Sequence, residues 1–499
     1  SSTINNDTSG NGPFNLILDT NGGAIGVGGA IGATNALGTI NINAGDGTGA
    51  ITLAGMGSSS ANSNAGAAGN SGTVDIGNAA TADLNLAGYF FTGGVTNFVA
   101  DSTVTENGSV TDEVIDITAN TTIKSASAIT FTGAAIDAAN GVTSLKIDSG
   151  NAALTLTDIH GDGTADTLAV DIDGGAVCVK NIGLSTAIDE VNTVDITGTA
   201  ITLNGAIYTD GTNPNIAFNG PVSLGGATVV SSDNGTIDFS STVTGTQDLD
   251  ILSGSGQVTI SGDIGTGGTP LTSLDINATG SSTGTGNIRI LKNIGADGTS
   301  GAGVVTLGNT NTGTITFGTT SSEGEYFTTG AQTYNAASYS LVGTDPDFNA
   351  SSENIQFLDG ASGITLATGS DLTVDTGGTN ADQDGNITIA GAITSTNGQT
   401  TTVTLEAGTG SVSIAAIGDG TPGIGNVTID GSGGITLNGN ITTNAGNIDV
   451  NNATLLATGD ITLTTGGGTV DFIATNGTID SAAGETNSLI INSGDGDVA

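Results

Sequence analysis

The chain has no tryptophan, a single methionine, a single cysteine, six prolines, and five cationic side chains in 499 residues. Each scarcity excludes something. With Cys178 alone, no disulfide within the chain can staple the fold. It sits in AVCVK (176–180) among alternating apolar residues, where a small buried hydrophobe is expected. No apolar run approaches the ~18–20 residues that a helical membrane span needs, so no membrane span is expected. The opening SSTINNDTSG has neither the charged nor the apolar region of a signal peptide and reads as a mature or excised chain. The five cations face 48 carboxylates for a formal charge of −43, a field that repels nucleic acid and anionic lipid. No stretch shows a convincing helical period.

What is abundant is glycine, 84 residues of it, set between short alternating runs. VDI (74–76), ITF (129–131), VTI (258–260), VTL (305–307) and ITI (387–389) each place two apolar side chains on one face of a strand and a polar one on the other. Gly, Asn, Asp and Ser separate them, the residues that enter turns at least cost. The fold class is therefore all-β. Forty of the 48 acids are Asp, so much of the acidity reads as turn chemistry.

The chain also repeats itself. ITLNGAI (201–207) returns as ITLNGNI (435–441), VDIGNAATADLNLAG (74–88) answers VTLGNTNTGTITFGT (305–319), and GYFFTGGVT (88–96) aligns with EYFTTGAQT (325–333) at an offset of 237. The order is preserved throughout. This gives a polar segment 1–15, super-repeats 16–248 and 249–488, and the start of a third repeat at 489–499. Within each copy, strand ends recur at Ile159 and Ile182, Ile435 and Ile461, and Ile264 and Ile294. Such spacings suit one coil of an elongated β-solenoid, roughly 20 coils in all at 23–26 residues each. Two tandem β-sandwiches are the competing architecture. A solenoid exposes strand edges at its tips, so the expected partners are copies of the chain stacked end to end or further repeats of a longer chain.

In VTISGDIGTGGTPLTSLDINATG (258–280) and GNVTIDGSGGITLNGNITTNAGNIDV (425–450) the chain resembles filamentous-haemagglutinin-like and β-strand-repeat surface proteins of Gram-negative bacteria. The resemblance runs from about Leu16 onward. It implies a right-handed parallel β-helix, secretion to the cell surface, and work as an adhesin, a fibre or a surface-layer component, with cell-surface glycans as a partner class. An NPNG-like turn of the two-partner secretion type is missing near the start; NPNI (213–216) lies far inside.

The residues give little chemistry. Arg289 and Lys292 are the one close cationic pair, and Arg289 lies between Ile288 and Ile290 on a solvated strand face. His160 follows Ile159 in a Gly/Asp turn with no nucleophile motif beside it. No cofactor is expected apart from calcium, for which Asp382, Asp384 and Asn386 are candidate ligands; Ile393 stands where a helix-loop-helix calcium site needs Glu. Asp158, Asp162 and Asp166 form a second acidic turn. Aromatic residues cluster instead. Tyr326, Phe327, Tyr334 and Tyr339 in the second copy, and Tyr89, Phe90 and Phe91 in the first, are candidates for a lateral contact, and packing inside a widened coil is the competing reading. The expected function is non-catalytic: a secreted, structural or adhesive filament protein. A surface-layer lattice and a polysaccharide-active enzyme are the alternatives.

Overall fold

A computed structural model describes residues 4–5, 14–43, 48–57, 72–100, 115–133, 135–161, 167–185, 191–211, 214–278, 284–295, 301–321, 324–367, 369–377, 385–396, 401–418, 424–457, 459–473 and 478–499. The described chain is all-β, without a helix, and winds as a β-solenoid of about 17 turns whose sheets are parallel. Parallel pairing removes the sandwich alternative, since its sheets are antiparallel. The chain divides into two compact units, Ser1–Ile237 and Asp238–Ala499. No helix of the described residues is long and apolar enough to cross a membrane.

In the second unit each turn supplies strands to three ladders. The first runs through Ser273–Ile276, Val304–Leu307, Gln332–Ala336, Ile355–Asp359 and Ile387–Ile389. The second runs through Ile288–Ile290, Thr314–Phe317, Ser338–Leu341, Ile364–Leu366 and Ile393–Ser395. The third begins with bridges from Ile264 to Ile294 to Tyr326 and continues through Gly324–Thr328, Pro346–Ala350, Leu372–Asp375 and Val403–Glu406. Many strands have only three residues, buried, half-buried or exposed, then buried, as in Ile364–Leu366 and Val412–Ile414. Two side chains point in and one points out, which is the period of two that the sequence displays.

Straight register turns this alternation into files. Ile288, Ile315, Tyr339, Ile364 and Ile393 pair in succession along the second ladder, and each is at most 1% exposed. The first unit is built the same way, with Leu16–Leu18, Ile40–Ile42, Val74–Ile76, Thr96–Val99 and Ile129–Thr132 forming one ladder. There Leu84–Thr92 and Ile115–Ser125 turn a corner without breaking, with a register shift between Leu86 and Gly88.

The turns are less even than the sequence spacing suggests. Steps run from 18 residues, Val191 to Thr209, to 34, Ile40 to Val74. Insertions at the corners leave the ladder undisturbed, because only the three short strands must stay in register. Fewer turns result than a 23–26-residue coil implies.

Corners are held by asparagine and aspartate. The Asn354 Oδ1 accepts a bond from the Asn386 amide one turn on, and the Asn386 Oδ1 accepts one from Ser411, both at 2.8 Å. Asn426, Asn447 and Thr469 repeat the relay at 2.9 and 3.0 Å. In the first unit Asp158, Asn181 and Ala206 do the same. Each side chain satisfies an N–H that the corner would leave without a ladder partner. Glycine serves where backbones meet: at Gly418, φ is +71° and a Cβ would lie 2.0 Å from the Thr442 carbonyl oxygen. Gly418→Ala is expected to destabilise by about 1 kcal/mol or more, from left-handed strain and the clash together. Asn447→Ala should cost about 1 kcal/mol by loss of one hydrogen bond. Thermal unfolding followed by circular dichroism checks both.

Candidate contact surfaces

Six aromatic residues of the second unit form one layer. Phe317, Tyr326, Tyr334, Tyr339, Phe348 and Phe357 are all at most 1% exposed. Their rings meet edge to face or stacked, with Tyr326 on Phe348 at 4.6 Å and Phe317 against Tyr334 at 5.1 Å. The strands place them there because each occupies an inward position of its ladder: Tyr334 pairs with Phe357, Tyr326 with Phe348, and Phe317 with Leu341.

This layer encloses a polar residue. Gln332 stands in the file of Val305 and Ile355 and is fully buried. Its Nε2 donates to the Tyr326 carbonyl at 2.8 Å and to the Asn349 carbonyl at 2.6 Å, and its Oε1 accepts from the Tyr334 hydroxyl at 2.9 Å. The Tyr339 hydroxyl donates to the Tyr334 carbonyl at 2.8 Å. Burial pushes the Tyr326, Tyr334 and Tyr339 hydroxyls well above the ordinary tyrosine range, so all three stay neutral; Tyr334 and Tyr339 donate, whereas the Tyr326 hydroxyl is buried without a hydrogen-bond partner among the described residues.

The seven aromatic contact candidates are distributed unequally. Phe90, Phe91, Tyr326, Phe327, Tyr334 and Tyr339 lie inside their units, none more than 7% exposed, whereas Tyr89 is 49% exposed and stacks on Phe91 at 5.9 Å. A ring without exposure offers a partner nothing, so Tyr89 is the candidate that stands on the outside. The repeat alignment explains why the two copies differ here. Thr96 is the ladder partner of Val74, and Gln332 of Val305, so the copies correspond at an offset of 236 and not 237. Phe90, bridged to Met56, occupies the place of Tyr326, bridged to Ile294. A slip of one residue exchanges inside for outside, and Tyr89 corresponds to Glu325.

Of the calcium candidates, Asp382 and Asp384 lie outside the described residues, as do Asp162 and Asp166. Asn386 is a corner residue whose Oδ1 accepts from both the amide and the hydroxyl of Ser411. Asp158 likewise accepts from Asn181. Among the described residues no group of three or more His, Cys, Asp or Glu side chains converges as a metal ion requires.

Three further expectations can be placed. Arg289 is exposed between buried Ile288 and Ile290. Cys178 is not buried but half-exposed, because Val177 and Val179 take the inward positions; the Asn204 amide donates to its Sγ at 3.1 Å. His160 is not in a turn but closes the strand Asp158–His160 and is buried.

The acids are arranged by the register. Asp375, Glu406 and Asp430 stand one above another on successive turns, as do Asp250 with Asp275, Asp171 with Asp195, and Asp449 with Asp471. Partial burial and the neighbouring carboxylates raise Asp195, Asp250, Glu406 and Asp449 above the usual carboxylate range. Asp173 is raised by burial and by Asp148, and Asp375 by burial. Lys124 pairs with the buried Asp148 at 2.7 Å, and Lys146 with Asp171; the second pair is solvent-accessible and contributes little.

The fold defines the class, a β-solenoid repeat protein. No protein-family model matches the chain, and no curated protein and no solved structure matches it.

Two outcomes follow from the geometry. Tyr334→Phe leaves the buried Gln332 Oε1 without its donor and should cost about 1–3 kcal/mol in a denaturant titration, whereas Tyr89→Ser should leave melting nearly unchanged. The raised acids bind protons more readily folded than unfolded, so their destabilising effect is present above their folded pKa and fades as pH falls through it toward the unfolded value near 4. The melting temperature should therefore be higher at pH 5 than at pH 7.5, and Glu406→Gln should flatten that dependence.

Proposed function

We propose that the chain is a non-catalytic, extracellular β-solenoid protein of a bacterial cell surface, structural or adhesive in role, that forms or extends a filament or sheath by stacking turn upon turn. The observation that supports this reading is the ladder itself. Every turn presents both N–H donors and C=O acceptors on each of its two edges, in the same register and with the same inward files, so a further turn adds by the bonds that already hold the others. A continuation of the same chain and a second copy meet that requirement alike. The haemagglutinin-like resemblance in the strand and turn strings supports the surface setting, and the acidic, cation-poor exterior supports a solvated one.

Electron microscopy and sedimentation of the purified chain test the proposal together. Uniform filaments with an axial repeat of about one chain are expected as concentration rises. A single monodisperse species at all concentrations, or turnover of an acidic polysaccharide by the purified chain, would overturn it.

A further inference from the structure

A groove of about 360 Å³ opens on the second unit where the second ladder turns toward the third. Its lining includes the hydroxyl-bearing Thr320, Ser340, Thr344, Thr365, Ser370 and Thr396 and the half-buried Val342 and Ala367. None of its ten lining residues is charged, on a chain with 48 carboxylates.

The groove is assembled by the same register that builds the core. Ser340 pairs with Thr365 on consecutive turns within the lining; Thr394, next in the register, lies beyond the lining and donates to the Ile364 carbonyl at 3.3 Å. Each is the outward residue of its strand, flanked by buried neighbours. Outward hydroxyls therefore recur at the strand spacing, about 4.8 Å, which is close to the length of one pyranose in an extended glycan. The backbone closes one wall: the Ser370 hydroxyl donates to the Gly343 carbonyl, and the Asp371 amide to the Thr344 carbonyl at 3.1 Å. Asp371 turns its own carboxylate away to the Thr402 amide, 2.6 Å off, so it is engaged one turn further on.

We propose that this groove binds a short stretch of neutral polysaccharide lying across successive turns, one sugar per turn. Ligand sites combine an apolar floor with a few placed polar groups, and a sugar ring presents that combination in reverse, apolar C–H faces bordered by hydroxyls. Val342 and Ala367 meet the ring face; Ser340, Thr365 and their neighbours exchange hydrogen bonds with its edge, each hydroxyl able to donate and accept. Charge selects against the alternatives. A uronic-acid or sulfated chain meets no cation in the lining and is repelled by the field of the whole molecule, and a metal ion meets no carboxylate there. The inference deepens the adhesive reading above and rests on it only for the source of the glycan; binding by the purified chain is measured independently of filament formation.

The test is calorimetric titration of the full chain with cellotetraose and, separately, with tetragalacturonate. Binding of cellotetraose, at least tenfold tighter than tetragalacturonate, is expected. Thr365→Tyr, an outward position in a strand, fills the groove and should weaken that binding at least tenfold while the circular dichroism spectrum and melting temperature stay unchanged. Thr404→Tyr, outward on the third ladder, should bind as the parent does. Absence of cellotetraose binding, equal or tighter binding of tetragalacturonate, or full binding by a folded Thr365→Tyr variant would each overturn the proposal. Loss of filaments with intact binding would reject the filament reading alone.

Discussion

In-register parallel pairing from one turn to the next is the constraint on which the rest depends. It carries each inward residue onto an inward residue, so that isoleucines stack on isoleucines and a core exists without a compact centre. It also carries outward residues onto outward residues, and that has a cost. Asp375 above Glu406 above Asp430 is what exact repetition does to an acidic surface. The corners use the same translation to advantage, since an asparagine on one turn finds the amide of the next turn within reach. Core files, corner relays and acid files are therefore three results of one operation.

The aromatic layer shows how far that operation tolerates variation. In most turns the inward positions hold Ile, Val or Leu. At Gln332 and Tyr334 the file admits polar groups because each finds a partner inside: amide to carbonyl, hydroxyl to amide. The first unit has a smaller counterpart, where buried Thr96 bonds Thr92 at 2.6 Å and Phe98 stacks on Phe131 at 4.8 Å. Both units thus enclose a polar residue beside large rings, and each side chain is fixed by directional bonds as well as by packing.

The architecture was legible because three-residue alternation and Gly/Asx punctuation are local signals, repeated often enough to be read above noise. The number of faces was not, since a three-residue strand carries no record of which ladder it joins. The register of the aromatic segment was missed by one residue. The strings YFFT and EYFT align on their tyrosines by letter, but the bridges place Phe90 where the second copy has Tyr326, and that one-residue difference has no marker in composition. Cys178 was misplaced for a related reason: Val-Cys-Val suggests three hydrophobes, and the pleat admits only the outer two. The hydroxyl groove gave no motif because threonine is also the commonest filler of outward strand positions here, and only the folded corner turns a few of them into a concavity.

Because each turn bonds only to the turns beside it, its resistance to opening is set by its own neighbourhood and not by the fold as a whole. Fraying that enters along the ladder proceeds rung by rung through thin aliphatic turns and then meets the cross-linked rings around Gln332. There several turns must release together before any one can. The aromatic layer is thus a stop in the zipper, a place where partial opening stalls and from which rewinding can restart in the correct register.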